Sequence, residues 1–222
     1  MKTIYFDCSN GISGGMAYEA LKGLLLKHEE NAVADVGKLD FHGSGSCGHF
    51  HASYSDIKNI INNSGISKRA KEKALAIYSV IAEAEAQVHG TTVAEVHFHE
   101  VGRIEAVRNI VGAAACVDAL SADKILCSEI CDGKGFIECS HGVIPVPVPA
   151  VMAMRGMCDL KFTVDESVKT EIVTPSGLAI LIGLGALYSR ETPEGGTLRK
   201  AVVFGDRDTG KSGGFSAYLL DR

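Results

Sequence analysis

Two histidines separated by one residue, His97 and His99, stand in the segment Val96-His97-Phe98-His99-Glu100-Val101-Gly102. In an extended backbone alternate side chains share a face, so the two imidazoles can reach one ion. Neutral imidazole suits nickel, zinc, copper or iron, and Glu100 can add a ligand or orient one. Without a metal, the same triplet reads as two ordinary histidines and a helix-starting glutamate. A second such pair, His49 and His51, lies in a Gly/Ser-rich stretch near His42 and Cys47. Ordering a loop of that composition around an ion costs conformational entropy, which fits transient capture better than tight binding. Glu105 and Asn109 are four residues apart and so share a helical face, beside Arg108 and opposite Ile104, Val107 and Val111. That stripe serves either as support for the histidines or as a plain solvated face.

Two further segments have the chemistry of anion sites. Asp7-Cys8-Ser9-Asn10-Gly11-Ile12-Ser13-Gly14-Gly15-Met16 joins a strand-like run to a helix, and Thr174-Pro175-Ser176-Gly177 precedes an apolar helix. Free N–H groups at a helix start can hold a phosphate, and Gly11 and Gly14 permit close approach. The first segment matches neither the P-loop nor the dinucleotide fingerprint. In the second, Thr174 or Ser176 can cap the helix and Pro175 can occupy its first turn. His141 begins an alternating Val/Pro segment, His141 to Pro149, whose prolines fix φ and exclude helix, so it is presented from a stiff arm.

Positioning these residues requires a mixed set of elements. A strand is expected over 3–6 and a helix over 17–26, followed by a flexible Gly/His-rich loop over about 31–52. A short helix is expected over 56–62. From Ile66, apolar residues at 70, 74, 77, 81, 84 and 88 describe an amphipathic helix of about six turns that Gly90 ends. Another helix spans about 103–120, its Gly112-Ala113-Ala114-Ala115 stretch suited to close backbone approach. Later come strands at 124–129, 135–139 and 159–164, a helix over 174–187, and strands at 201–204 and 215–220. The expectation is an α+β or mixed α/β fold, a single globular domain with two long helices and a mixed sheet.

The 222 residues are 46% apolar and 22% charged, which excludes disorder, collagen and coiled coil as the main description. Glycine, 25 of 222, exceeds the average of about 7% and predicts many tight loops. A net charge of −5 without a long basic run argues against nucleic-acid or membrane-surface binding. The absence of a signal-like N-terminus or an apolar span suggests a cytoplasmic protein. Seven irregularly spaced cysteines without a Cys-x-x-Cys pair argue for buried reduced thiols.

In this order, the Gly11-Ile12-Ser13-Gly14 loop, His97-Phe98-His99-Glu100-Val101-Gly102, His141-Gly142 with its Pro-Val-Pro arm, and Val173-Thr174-Pro175-Ser176-Gly177 resemble the LarC family of nickel-insertion proteins. The likeness spans nearly the whole chain. It implies nickel insertion into pyridinium-3,5-bisthiocarboxylic acid mononucleotide, giving the nickel-pincer cofactor of lactate racemase-type enzymes. The resemblance also implies CTP with Mg or Mn, used by a C-terminal domain that this chain is expected to lack. Such a domain would come from a separate chain, and a homo-oligomer is expected as well.

On this reading His97 and His99, with His49 and His51, take nickel. Glu100 and Glu105 orient ligands or accept a proton. Gly11, Ser13, Gly14, His141, Thr174, Ser176 and Gly177 hold the mononucleotide. Where the family carries aspartates, this chain has Gly15, Glu105 and Asn109. Those departures keep open a non-catalytic nickel or cofactor carrier. A zinc hydrolase using the same triplet is a third reading.

Overall fold

The computed structural model describes residues 1–41, 52–139, 142–191, 196–205, 209 and 212–221. His42, Cys47, His49, His51 and His141 therefore lie outside the described residues. In chain order the elements are β1 (Lys2–Asp7), α1 (Gly14–Gly23), β2 (Ala52–Ser53), α2 (Tyr54–Asn63), α3 (Lys68–His89), β3 (His97–Phe98), α4 (Ile104–Leu120), β4 (Lys124–Cys127) and β5 (Ile130–Asp132). Next come β6 (Gly135–Cys139), β7 (Gly142–Val146), α5 (Pro149–Arg155), β8 (Phe162–Val164), α6 (Pro175–Gly183), β9 (Leu187–Tyr188), β10 (Thr197–Val203) and β11 (Phe215–Asp221).

The β-branched and aromatic run Thr3-Ile4-Tyr5-Phe6 suits a strand buried on both faces, and all four residues are buried. It forms the centre of a sheet ordered β10-β11-β1-β4-β9. β1 pairs antiparallel with β11 and parallel with β4, and β4 pairs parallel with β9. The expected α+β arrangement with a mixed sheet is what the chain adopts. Phe6 stacks on Phe215 across the sheet, ring centroids 5.7 Å apart.

The two long helices run antiparallel. Ser67, capping α3, donates to Asp118 Oδ2 in the last turn of α4 at 2.6 Å. Farther along α3, Tyr78 Oη donates to the Val101 carbonyl, just before α4 begins, at 3.0 Å. Gly90 ends α3 in the left-handed region, φ 64°. Close approach at Gly112 is real: a Cβ there would lie 2.4 Å from the Tyr18 ring of α1.

Several sequence expectations are corrected. Residues 31–41 are not a loose loop: Glu30–Val33 and Val36–Lys38 form 3₁₀ turns, because Val36 and Leu39 are buried apolar anchors. The first helix begins at Gly14, where Ser13 Oγ accepts from Met16 N at 3.1 Å, and it stops at Gly23 rather than reaching Leu26. Val88, placed on the inward stripe, is 39% exposed because the last turn of α3 passes beyond the core. α6 ends at Gly183, and Gly185 with φ 70° turns the chain so that Leu187 and Tyr188 become strand. Pro149 opens α5 instead of extending an arm, since the first turn of a helix needs no N–H. The run at 124–129 shortens to β4, with β5 a separate strand after it, and that at 159–164 shortens to β8.

The six described cysteines are free thiols, four of them buried. Burial pushes Cys116 and Cys127 up to about 12, and Cys8 well above its ordinary range. The nucleophile in thiol labelling is the thiolate. In a Cys47→Ser background at pH 8, half-buried Cys139 is therefore expected to react with a disulfide reagent while Cys8, Cys116 and Cys127 stay unlabelled until urea is added. Labelling of those three in the folded chain would contradict the packing.

Candidate functional site

Three helix N-termini gather at one end of the molecule. α1 follows β1, whereas α4 and α6 precede β4 and β9, which run parallel to β1. All three helices therefore start beside the carboxyl ends of these strands, the edge at which open α/β sheets bind ligands.

The two anion-type segments, 161 residues apart from Ser13 to Thr174, are joined backbone to backbone. Ile12 and Val173 form a parallel bridge, with Ile12 N donating to Ile172 O at 2.8 Å and Thr174 N to Ile12 O at 3.0 Å. Gly11 has φ 80°, and a Cβ there would lie 2.2 Å from Ile172 O. Ser13 caps α1, and Thr174 caps α6 by accepting from Gly177 N at 3.2 Å. Thr174 Oγ1 and Ser176 Oγ are 3.1 Å apart. A Cβ on Gly14 would sit 2.7 Å from Ser176 Oγ, and one on Gly177 2.4 Å from Ile12 O. Asn109 of α4 borders the same place, its Nδ2 3.5 Å from where a Gly15 Cβ would be. The fold thus brings Gly11, Ser13, Gly14, Thr174, Ser176 and Gly177 into one cluster, with Gly15 and Asn109 at its border. Ser13, Gly15, Asn109, Thr174 and Ser176 keep partial exposure.

A buried carboxylate that the sequence reading missed holds the second segment in place. Asp132, 0% exposed, accepts at Oδ1 from Gly133 N at 2.8 Å, Val173 N at 3.2 Å and Ile172 N at 3.4 Å. Its Oδ2 pairs with Arg155 Nη2 at 3.0 Å, and that guanidinium lies over the Phe162 ring. Burial holds the Asp132 carboxyl above its usual range against the opposing pull of the Gly133 and Ile172 N–H groups and Arg155. Burial likewise lowers Arg155, so the pair is retained at a desolvation cost. Asp132 reads in sequence like any strand-end aspartate, which is why no local signal finds it.

The histidine segment lies before α4. Phe98 is fully buried between Tyr54 and Tyr78, with ring centroids 6.1 and 5.8 Å away, and Val101 is fixed through the Tyr78 hydroxyl. Anchoring these two residues leaves His97 exposed and His99 half-buried. Only 97 and 98 are in strand, paired with Ser53 and Ala52, and the backbone bends at His99. His99 stacks obliquely on His89 from the end of α3, ring centroids 6.2 Å apart. His89 is a second residue the sequence reading missed. The available signal was Glu85 four residues earlier, and its Oε2 lies 3.3 Å from His89 Nε2.

Glu100 and Glu105 are exposed, and Glu105 lies in the first turn of α4, where an acid complements the helix dipole. It stands one turn, about 6 Å of rise, before Asn109 on the same helical face. The histidine segment and the anion cluster are therefore linked by the start of one helix. Among the described residues, no three His, Cys, Asp or Glu side chains converge on a ready-made metal site. A groove of about 530 Å³ lined by Arg69, Lys73, Lys124 and Gly183 lies at the opposite end of α3 and α4, away from this cluster. Among the described residues, no helix is long and apolar enough to cross a membrane.

The chain matches the family described as nickel insertion protein over residues 4–214. It is 37% identical over 240 residues to the pyridinium-3,5-bisthiocarboxylic acid mononucleotide nickel insertion protein of Acetivibrio thermocellus, covering 95% of this chain and 58% of that relative. Proteins of the same name from Alkaliphilus metalliredigens and Lactiplantibacillus plantarum are 33% and 32% identical over 259 and 262 residues. These alignments take in 98% and 100% of this chain, and 60% and 62% of those relatives. The chain thus spans about three-fifths of the length of these three curated relatives. No solved structure matches it. Since the match runs from residue 4 to residue 214, most of its length, the chain belongs to the nickel insertion protein family.

Proposed function

We propose that this chain takes part in inserting nickel into pyridinium-3,5-bisthiocarboxylic acid mononucleotide. The observation that carries the reading is the joining of two capped helix N-termini, α1 and α6, at the carboxyl edge of the parallel strands, next to the start of α4 where the histidine segment lies. N–H groups at such ends suit the substrate phosphate. His97 and His99 hold nickel as imidazole complexes until the softer thiocarboxylate sulfurs of the substrate take it over. A nickel–carbon bond then replaces one ring C–H bond, and the released proton goes to Glu100 or Glu105. Both carboxylates are exposed, and they follow His99 by one and six residues in the chain. CTP with Mg or Mn, and a further domain supplied by a partner chain, belong to the same proposal.

Calorimetric titration with nickel is expected to show binding that His97→Ala with His99→Ala weakens at least tenfold. Mixing the protein and a supplied C-terminal domain with the mononucleotide, nickel, CTP and Mg is expected to yield a product heavier by one nickel less the displaced protons. Unchanged nickel affinity in the double variant would overturn the site. A second reading, a carrier without turnover, is favoured by one observation: Gly15 and Asn109, both standing where the resemblance implies aspartate, border the same spot. A carrier binds nickel and mononucleotide in that assay and forms no product.

A further inference from the structure

We propose that Asn109 of α4 is a further binding residue for the mononucleotide, its side-chain amide and the Ser13 hydroxyl gripping the phosphate over the bare backbone of Gly15. The proposal rests on the reading that the joined starts of α1 and α6 take this substrate, and it adds the group that α4 brings to them. A Cβ on Gly15 would lie 3.5 Å from Asn109 Nδ2 and 3.9 Å from Ser13 Oγ. Among the described residues, beyond the adjoining residues and the backbone of α1, no other atom comes within 4 Å of that point. The absent side chain thus leaves a space bordered by two polar groups. Ser13, Gly15 and Asn109 are all partly exposed, so a solute can reach it.

The donors around this space are unspent. Ser13 Oγ accepts from Met16 N at 3.1 Å, which leaves its own proton to donate. The Asn109 amide bonds no protein group among the described residues, and it carries two N–H donors. The N–H groups of Gly14 and Gly15 precede any intrahelical acceptor and stand at the positive end of α1. Asn109 also reaches the start of α6: a Cβ on Gly14 would lie 3.7 Å from Asn109 Cβ and 2.7 Å from Ser176 Oγ. α4 is held against α1 by the close approach of Gly112 to the Tyr18 ring, which fixes the amide relative to the two caps. A phosphate offers only acceptors at neutral pH, so it needs neutral or positive donors. An amide at 109 supplies one, where a carboxylate would have none and would repel the ligand.

The test uses the full chain and calorimetric titration with two probes, the pyridinium mononucleotide and the same nucleoside without its phosphate. The parent is expected to bind the mononucleotide at least about tenfold more tightly than the nucleoside. Gly15→Ala is expected to weaken mononucleotide binding about tenfold while Tm stays at or above that of the parent, because the new methyl meets protein atoms only at van der Waals distance and Ala suits a helix better than Gly. Asn109→Ala is expected to weaken it about tenfold, as for one lost hydrogen bond to a charged group. Asn109→Asp, nearer to Asn in shape, is expected to weaken it further, about 100-fold, because like charges then meet. A role confined to packing would give the reverse order. Nucleoside affinity should stay within about twofold in all three variants. If the parent distinguishes the probes while the Asn109 variants keep its affinity, or lose both probes alike, this inference fails and the anion-site reading stands. If the parent binds neither probe, or both equally, that reading fails with it.

Discussion

Replacing Asp132 by Ala is expected to lower stability by about 3 kcal/mol, the lower end of the range for removing one partner of a buried ion pair. The lower end applies because the Arg155 side chain keeps 16% exposure and can turn partly to water, while Asp132 itself has none. The substitution also strips the acceptor from the N–H groups of Gly133, Ile172 and Val173. For a chain of this length that loss lowers Tm by roughly 6–12 °C. Asp132→Asn keeps an oxygen for those N–H groups and should lose less. Asp132→Asn combined with Arg155→Met removes both charges and is expected within about 1 kcal/mol of the parent, since apolar replacements of buried ion pairs are often neutral. Urea unfolding decides it: a loss below about 1 kcal/mol for Asp132→Ala would show that the pair does not hold the Ile172–Thr174 segment. Mononucleotide affinity should fall with stability, because Ile172 and Val173 carry the backbone bridge that sets the cap of α6 beside Ser13.

Gly177→Ala is expected to cost about 2–3 kcal/mol and most of the mononucleotide affinity, while leaving nickel binding within twofold of the parent. The new methyl would lie 2.4 Å from Ile12 O, 2.7 Å from Ile12 C and 2.9 Å from Ser13 Cα, all backbone atoms with no rotamer to relieve the contact. Overpacking of this kind typically costs 1–3 kcal/mol, more than the roughly 1 kcal/mol that Ala gains over Gly in a helix. The strain separates α6 from the Ile12–Ser13 turn, and a displacement near 1 Å is enough to lose a preorganised binding geometry. Gly37→Ala is the control, with nothing within 4 Å of its Cβ position, and should change stability by less than about 0.5 kcal/mol. Comparison by chemical denaturation and by titration with the pyridinium mononucleotide separates the two effects. Equal behaviour of the two variants would dismiss the joined-loop account of the anion site.

The amphipathic stripe from Ala70 to Ala84 gave α3, and Ser67 and Gly90 gave its limits, because periodicity and capping are local properties. The Thr174 cap with Pro175 in the first turn was legible for the same reason. Periodicity failed where an anchor was only one or two residues long. Val36 and Leu39 order the chain after α1 by docking on a helix that lies about 70 residues later, and a local pattern holds no record of that contact. Pro149 misled because proline both ends extended arms and opens helices, and the residues after it make the choice.

Residue types fixed which chemistries are possible: imidazoles for a transition metal, capped helix starts for an anion, buried thiols that stay reduced. They also fixed the elements carrying those groups, since hydrophobic period, caps and turn residues act within a few positions. The fold alone decided which groups meet. Ile12 with Val173, Asp132 with the Ile172–Val173 backbone, and His89 with His99 are juxtapositions made by parallel strand pairing and antiparallel helix packing. Such contacts are set by the burial of Phe98, Val101 and the core of α4, which is a property of the whole chain rather than of any segment.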